Sequence, residues 1–352
     1  MARRLIINLR NEVFCVSHIG EFMRILVVGG AGYIGSHAVR LLNETDHEVS
    51  VYDNLSLGRS QSVSAEQLIV GDLMDTERLE SVIRSHRIEA VMHFAAIAAV
   101  GESIVDPAKY YQNNVVATLG LLDVMRRCGV KRFVFSSTTA TYGQPERIPI
   151  SEDAPQLPIN PYGFSKLVIE RALKDYARAY GFAGASLRYF NAAGAAADGT
   201  LGEDHKPETH LIPLVLQVAL GQRESIHVFG NDYPTPDGTC IRDYIHVEDL
   251  ATAHLAALER LEEGNVIEVN LGTGVGSSVM EVIEACRKAS GHAIPVVQCP
   301  RRAGDPARLI ADGSLAKKVL NWEPRYTSID EIVLTAWNWH RTHPEGYSTS
   351  RS

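Results

Sequence analysis

The feature that most constrains this chain is the run Gly29-Gly30-Ala31-Gly32-Tyr33-Ile34-Gly35, which follows directly on the apolar stretch 24–28. It reads as G-x-G-x-x-G from Gly30 and as G-x-x-G-x-x-G from Gly29. Either spacing marks a tight strand-to-helix turn, in which glycines let the backbone approach an anion and present the positive end of the next helix to it. Such a run is weak alone, but a strand-length run precedes it, residues 33–43 read as helix, and Asp53 closes the second strand candidate. An acidic side chain there accepts both hydroxyls of an adenosine ribose and repels a 2′-phosphate, so the pattern predicts NAD in preference to NADP.

The first half of the chain repeats strand and helix. Strand candidates are residues 24–28, 48–53, 67–70, 90–94, 132–136 and 185–189; helical stretches are 33–43, 75–86, 107–128 and 161–180. Short valine- and isoleucine-rich runs separated by helices predict an α/β fold, a Rossmann-type doubly wound parallel sheet. Beyond about Asn191 the alternation weakens, and the loop 230–239 holds two prolines and two glycines. A smaller C-terminal α/β substrate-binding domain is expected there, closed by an amphipathic helix near 329–340. The expected division is a leader at 1–22, a nucleotide-binding domain at 23–189, a second domain at 190–347 with segments returning to the first, and a tail at 348–352. The leader carries Arg10, Glu12 and His18 and lacks a signal-peptide core, so it reads as an upstream start without a targeting role.

Composition narrows the function classes. The 352 residues, 45% hydrophobic and 22% charged, suit one or two globular cores, and no apolar run approaches a membrane span. Thirty-four basic and 42 acidic residues are interspersed and sum to −8, which disfavours nucleic acid as a partner. Five cysteines without a C-x-x-C pair predict reduced thiols and a cytoplasmic setting. None of the thirteen histidines stands out as a ligand, and no metal is predicted.

Further candidates lie at strand ends. Asp72, with Leu73 beside it, is placed to receive an adenine amino group; Asn54 adjoins Asp53; Phe94-Ala95-Ala96 would let a cofactor pass close to the backbone. Ser136-Ser137-Thr138 ends the fifth strand, and Tyr162 and Lys166 stand four apart at the start of a long helix, hence on one face. A phenol of ordinary pKa near 10 is a poor base at neutral pH. A lysine ammonium and a cationic nicotinamide nearby favour the phenolate, and the Thr138 hydroxyl can hold the reacting oxygen.

Gly29–Gly35, Tyr162-x-x-x-Lys166 and Ser136-Ser137-Thr138 together resemble the extended short-chain dehydrogenase/reductase family, and within it the bacterial UDP-glucose 4-epimerases. The resemblance runs from Met23 to about Tyr347. Its most specific pieces are MRILVVGGAGYIGSH from Met23, AVGES from Ala99, YYQNN from Tyr110, RYFN from Arg188, FGNDYPTPDGT from Phe229, RDYIHV from Arg242 and RRAGD from Arg301. It implies reversible C4 epimerisation of UDP-glucose and UDP-galactose through a 4-keto sugar and tightly held NAD, as in galactose metabolism. By the same resemblance Tyr162 takes the O4 proton, Thr138 binds O4, and Lys166 orients the nicotinamide ribose and depresses the phenol pKa. Gly29, Gly32, Tyr33, Ile34, Gly35, Asp53, Asn54, Asp72, Leu73, Phe94, Ala95, Ala96, Asn114, Ser136 and Phe190 are then expected around NAD. Asn191, His210, Leu211, Phe229, Arg242, Arg302 and Asp305 are expected around the uridine diphosphate, two arginines matching phosphate oxygens. A homodimer through the helices of 107–128 and 161–180 is also implied.

The chain departs from the pattern in places. Ala98 stands where some members carry a lysine, His210 where others carry asparagine, and Leu309 where side-chain bulk is thought to govern entry of N-acetylated sugars. Epimerisation of UDP-N-acetylglucosamine or of a UDP-pentose is therefore the alternative reading. A nucleotide-sugar 4,6-dehydratase needs an acid/base pair, typically Asp-Glu, after the threonine, whereas Thr139-Ala140 follow Thr138 here. A sensor that binds NAD without chemistry is disfavoured by the intact Tyr162 and Lys166.

Overall fold

The computed structural model describes residues 22–302 and 305–347, together with two strand segments, β1 (Arg4–Leu9) and β2 (Glu12–Ser17), which pair antiparallel with each other. The leader otherwise, the tail 348–352 and residues 303–304 lie outside the described residues.

Chain reversal at the glycine turn sets the architecture. Strand β3 (Arg24–Val28) runs into that turn, α1 (Tyr33–Asn43) leaves it, and β4 (Glu48–Asp53), β5 (Leu68–Val70) and α2 (Thr76–Ser85) build outward on one side. The chain then returns to the other side of β3 with β6 (Ala90–His93), α3 (Val100–Val105), α4 (Pro107–Tyr110) and α5 (Ala117–Cys128). β7 (Arg132–Thr138), α6 (Pro161–Tyr180) and β8 (Ala183–Tyr189) follow. Every pairing is parallel, and the sheet order is β12-β8-β7-β6-β3-β4-β5, with β12 (Val266–Asn270) contributed from late in the chain. The winding reverses between β3 and β6, the place where open α/β sheets form a ligand crevice at their carboxyl edge.

Alternate residues of β3 go to opposite cores. Ile25 and Val27 pack with Val39 and Leu42 of α1 and with Leu250 and Ala253 of α8 (Val247–Leu258). Leu26 and Val28 pack with Leu79 of α2, Leu121 of α5 and Leu173 of α6. Each such fully buried side chain contributes roughly 1.5–3 kcal/mol, so a one-residue slip of β3 would exchange two whole cores.

The smaller region is built from β9 (Asn191–Ala193), α7 (Leu211–Ala219), β10 (Ile226–Phe229), β11 (Ile241–His246), β13 (Gly276–Ser278), α9 (Val279–Ser290), β14 (Val296–Cys299), β15 (Arg308–Leu309) and α11 (Ile329–Thr342), while α10 (Ser314–Leu320) returns to the large sheet, its Ala316 and Leu320 packing in the core of Ile25 and Val27. β10 pairs with β14, while β11 is flanked by β13, β15 and β9. α7, α9 and α11 share a third core around Val215, Val282 and Val333. Cys128, Cys240, Cys286 and Cys299 are free thiols, and no described helix is long and apolar enough to cross a membrane.

Three elements differ from the sequence expectation. The seventh strand, β12, is a valine-rich run interrupted by Glu268, whose carboxylate faces Arg188 at 2.6 Å, so its polarity masks a buried parallel strand. The stretch 107–128 is not one helix: α4 passes into a wider π-type turn at Tyr111–Val116 before α5 begins. β7 continues past Ser136 to Thr138, since it pairs with β8 through Tyr189.

One buried ion pair fixes α6 on this sheet. Arg188 of β8 and Glu170 of α6 are 2% and 1% exposed, and the guanidinium reaches the carboxylate at 3.0 and 2.7 Å. Ser137 and Gln156 donate to the same carboxylate, and Arg188 donates to Tyr142 at 2.9 Å. Removing one partner of such a pair strands the other charge. Glu170→Ala is therefore expected to lower the unfolding free energy by about 3–5 kcal/mol in urea titrations followed by circular dichroism; a loss under about 1 kcal/mol, the scale of a surface pair, would show that the pair does not hold the helix.

Candidate functional site

The glycine turn is built to have no side chains. Gly29 has φ +76°, and a Cβ there would meet the Ala95 nitrogen at 2.4 Å; a Cβ on Gly35 would meet the Gly29 oxygen at 2.2 Å. Gly29 thus lets the 94–96 segment close on the turn, and Gly35 lets α1 lie against it. Gly32 precedes the first turn of α1, which has neither a side-chain cap nor an acidic residue. Its N–H groups face no competing carboxylate, as a bound pyrophosphate requires.

Asp53 ends β4 with its carboxylate 7% exposed. It accepts the N–H of Ala31 at 3.0 Å and of Leu55 at 2.8 Å. Burial pushes its pKa up while these two N–H groups pull it back. It lies directly beside the turn, with acceptor capacity left for ribose hydroxyls. Asn54 donates to Asp72 at 2.8 Å, and Asp72 also accepts the N–H of Met74, which leaves Leu73 between them half-buried at the sheet edge. Phe94 and Ala95 both donate backbone N–H to Val28. Tyr33 and Ile34 occupy the first turn of α1, the Tyr33 hydroxyl donating to the Gly194 carbonyl at 2.6 Å.

Asn114 acts on the fourth strand end from the π-type turn. Its carboxamide accepts the Ile97 N–H and donates to the Ile97 carbonyl, both at 2.9 Å, and it donates to Ser165 of α6 at 3.2 Å. The wider turn aims the amide at the 94–99 loop, a use typical of π-type turns near sites. Asn114 is fully occupied in clamping this loop to α6.

The reactive group assembles at the ends of β7 and β8. Asn160 caps α6 by accepting the Gly163 N–H at 2.8 Å, which starts the helix so that Tyr162, Lys166 and Glu170 share one stripe. Lys166 is 4% exposed; its ammonium donates to the Ser136 carbonyl at 2.9 Å and lies 4.8 Å from the Phe135 ring centre. Ser136 is bonded through its hydroxyl to Tyr189. Thr138, 6% exposed, accepts the Ala140 N–H at 3.1 Å, and its hydroxyl is near enough to Tyr162 to hold the phenol pKa down.

Burial raises the Tyr162 pKa, and the group that pulls it back is the Thr138 hydroxyl rather than Lys166. Burial also lowers Lys166 from 10.5 to about 7, with Glu170 opposing.

The second group gathers around β11. Arg242 pairs with Asp305 and lies beside Leu309 in the parallel register of β11 and β15. The Arg302 guanidinium stacks 4.1 Å from the centre of the Phe229 ring. Asn191 of β9 donates to the Asp243 carbonyl at 3.0 Å, and Leu211 opens α7 immediately after His210. Only Phe190 separates Tyr189, the register partner of Thr138, from Asn191, the partner of Tyr244, so the two groups meet along one short segment. Ala98 is exposed in the loop that Asn114 clamps.

Sequence reading missed two features. Glu170 carries no motif signal beyond its i, i+4 spacing from Lys166. Glu203, His205, Glu208 and His210 converge in the loop ahead of α7, although no histidine stood out as a ligand in the sequence. Their spacing matches no familiar metal motif.

Several known proteins are similar to this chain in sequence and fold. The NAD dependent epimerase/dehydratase family matches residues 25–272. The UDP-glucose 4-epimerase of Halalkalibacterium halodurans is 54% identical over 328 residues, 93% of this chain and 98% of the relative. The crystal structure of UDP-glucose 4-epimerase from Brucella ovis in complex with NAD superposes with a TM-score of 0.87 at 49% identity, over 90% of this chain and 97% of that one. The enzyme from Bifidobacterium longum in complex with NAD+ and UDP gives a TM-score of 0.86 at 42% identity, over 92% and 100%.

The buried amine provides a test. Unfolded lysine, near its ordinary 10.5, binds a proton that buried Lys166 has already released above about pH 7. The unfolded state then holds more protons, so stability rises with pH through that interval. Subtracting the profile of Lys166→Met from that of the ligand-free parent should leave a positive slope above pH 7; a flat difference would remove the perturbed amine.

Proposed function

This chain belongs to the NAD dependent epimerase/dehydratase family, and from that premise we propose that it interconverts UDP-glucose and UDP-galactose by inverting C4 of the sugar. The observation that carries the reading is the meeting of Tyr162, Thr138 and Lys166 at the carboxyl edge of a sheet whose glycine turn and Asp53 fit NAD. Bound NAD supplies the reversible acceptor that takes C4 to the ketone level and back.

The protein's own residues handle protons, position and charge. Tyr162 removes the O4 proton as a base and restores it as an acid, with the Thr138 hydroxyl holding that oxygen between the two events. Lys166, anchored on Ser136, orients the nicotinamide ribose. Gly29, Gly32, Tyr33, Ile34 and Gly35 seat the pyrophosphate on α1, and Asp53 takes the adenosine ribose. Asn54, Asp72 and Leu73 bound the adenine, while Phe94, Ala95, Ala96, Ser136 and Phe190 line the nicotinamide half and Asn114 acts on the cofactor through the 94–99 loop that it holds. Asn191, Leu211, Phe229, Arg242, Arg302 and Asp305 take the uridine diphosphate, both arginines being suited to phosphate oxygens, while the His210 side chain is held away by Glu203. The residues after Thr138 argue against elimination of water: Thr139 is buried with its hydroxyl on the Tyr189 carbonyl, and Ala140 has no polar side chain. Leu309, the register partner of Arg242, stands where side-chain bulk would decide entry of an N-acetyl group, and UDP-N-acetylglucosamine is the second substrate to try. The substrate chemistry and free thiols suit the cytoplasm.

Incubation with UDP-galactose should yield UDP-glucose with no net change in NAD redox state. Tyr162→Phe should keep NAD while kcat falls about 10²–10⁴-fold; near-normal turnover would take Tyr162 out of this role, and a 4-keto-6-deoxy product would replace epimerisation by dehydration.

A homodimer is also proposed, formed by the helices of Pro107–Tyr110, Ala117–Cys128 and Pro161–Tyr180. These segments and the turn between them expose Val116 at 46%, Phe164 at 46% and Tyr180 at 48%. Phe164→Glu with Tyr180→Glu should shift the mass in light scattering from two chains to one; an unchanged mass would place the interface elsewhere.

A further inference from the structure

We infer that Glu203, His205, Glu208 and His210 form a site for one divalent ion of the zinc type, which staples the loop ahead of α7. The four side chains offer two imidazole nitrogens and two carboxylate oxygens, all within 4.8 Å of one another. The His205 Nδ1 lies 3.0 Å from Glu203 Oε1 and 4.0 Å from Glu208 Oε1, and His210 Nδ1 touches the same Glu203 oxygen. Donors on a tetrahedron with bonds of about 2.0–2.1 Å stand roughly 3.3 Å apart, a value these separations bracket. Both imidazole nitrogens gather on one Glu203 oxygen, and side-chain rotation within this cluster would open the tetrahedral spacing around an ion.

The donor set selects the ion. Calcium and magnesium take oxygen ligands, six or more in number, whereas mixed imidazole and carboxylate donors suit zinc and its first-row neighbours. Charge agrees: the side chains of Glu203 and Glu208 are only 4% and 6% exposed, and a divalent ion with two neutral imidazoles cancels both carboxylates. Neighbouring groups hold two of the side chains in place. Glu208 accepts the N–H groups of Thr209 and His210 at 2.6 and 2.8 Å, and the Tyr33 ring stands edge-on to His205 at 6.2 Å. Without an ion the imidazoles answer the carboxylates as ion pairs; metal binding replaces their protons.

The position gives the ion a task. Trp339 of α11 donates to the Glu203 carbonyl at 3.3 Å, and the adjacent Asp204 accepts from Arg59 at 2.9 Å and from the Tyr347 N–H at 3.2 Å. His210 directly precedes α7. One bound ion therefore joins the nucleotide-binding region, α7 and the C-terminal segment. This is a structural role, separate from proton transfer at Tyr162.

The test uses the full-length chain, stripped with a chelator and dialysed. Titration with Co2+ should give the intense visible bands of a tetrahedral site, saturating near one ion per chain and displaced by Zn2+. Elemental analysis after zinc loading should find about one zinc per chain, and zinc should raise the melting temperature by linkage. His205→Ala and Glu203→Gln should each weaken binding more than about 10-fold, by loss of a direct ligand. NAD content and circular dichroism of each variant report its folding. Weak octahedral cobalt bands in the parent, zinc well below one equivalent, or equal uptake by the His205→Ala/Glu208→Gln double variant would each overturn the proposal. The parent's cobalt spectrum decides the matter even if the variants fail to fold.

Discussion

The arrangement depends on one buried charge pair. Arg188 on β8 and Glu170 on α6 are both almost wholly removed from water, and the guanidinium also reaches Glu268 of β12. A buried pair adds little net stability compared with apolar side chains of the same volume, but breaking it is expensive, so its effect is to forbid alternatives. The alternatives forbidden here are other rotations of α6. Glu170 lies one helical turn beyond Lys166 and two beyond Tyr162, so fixing its carboxylate on Arg188 aims both over the end of β7. Ser137, between the two strand residues that meet Lys166 and Tyr162, donates to the same carboxylate. The reactive edge and the helix that serves it are registered by a single oxygen pair.

How much was legible in the sequence follows from how locally each feature is encoded. The glycine turn was readable because a tight turn, a strand before it and a helix after it occupy consecutive residues. Strands β3 to β8 were readable as uniformly apolar runs between helices, with ends displaced by a few residues. β12 was not, because Glu268 within it answers a charge 80 positions earlier. The π-type turn at Tyr111–Val116 was hidden because the contact it serves, Asn114 on the Ile97 backbone, is one that spacing does not announce.

The site shows the same division. Tyr162, Lys166 and Thr138 stood out as chemistry-bearing residues and are placed together. Their electrostatics did not stand out, since burial, which pulls Lys166 to about 7, is a property of the assembled fold. Glu170 looked like any helix-face carboxylate. The four residues from Glu203 to His210 lie within one loop, yet their convergence depends on loop geometry rather than on a periodic element.

The three-residue passage Tyr189-Phe190-Asn191 has a mechanical consequence. Its first member is hydrogen-bonded into the reactive strand edge and its last into β11, each by backbone register, and one residue between them is too short to act as a free hinge. Any displacement of Arg242 along β11 is therefore transmitted as tension on Tyr189, and through its hydroxyl contact to Ser136, where Lys166 is anchored. The end of β8 and β11 are thereby tied with one residue of slack, so the two regions cannot slide past each other at this edge without breaking a backbone pairing.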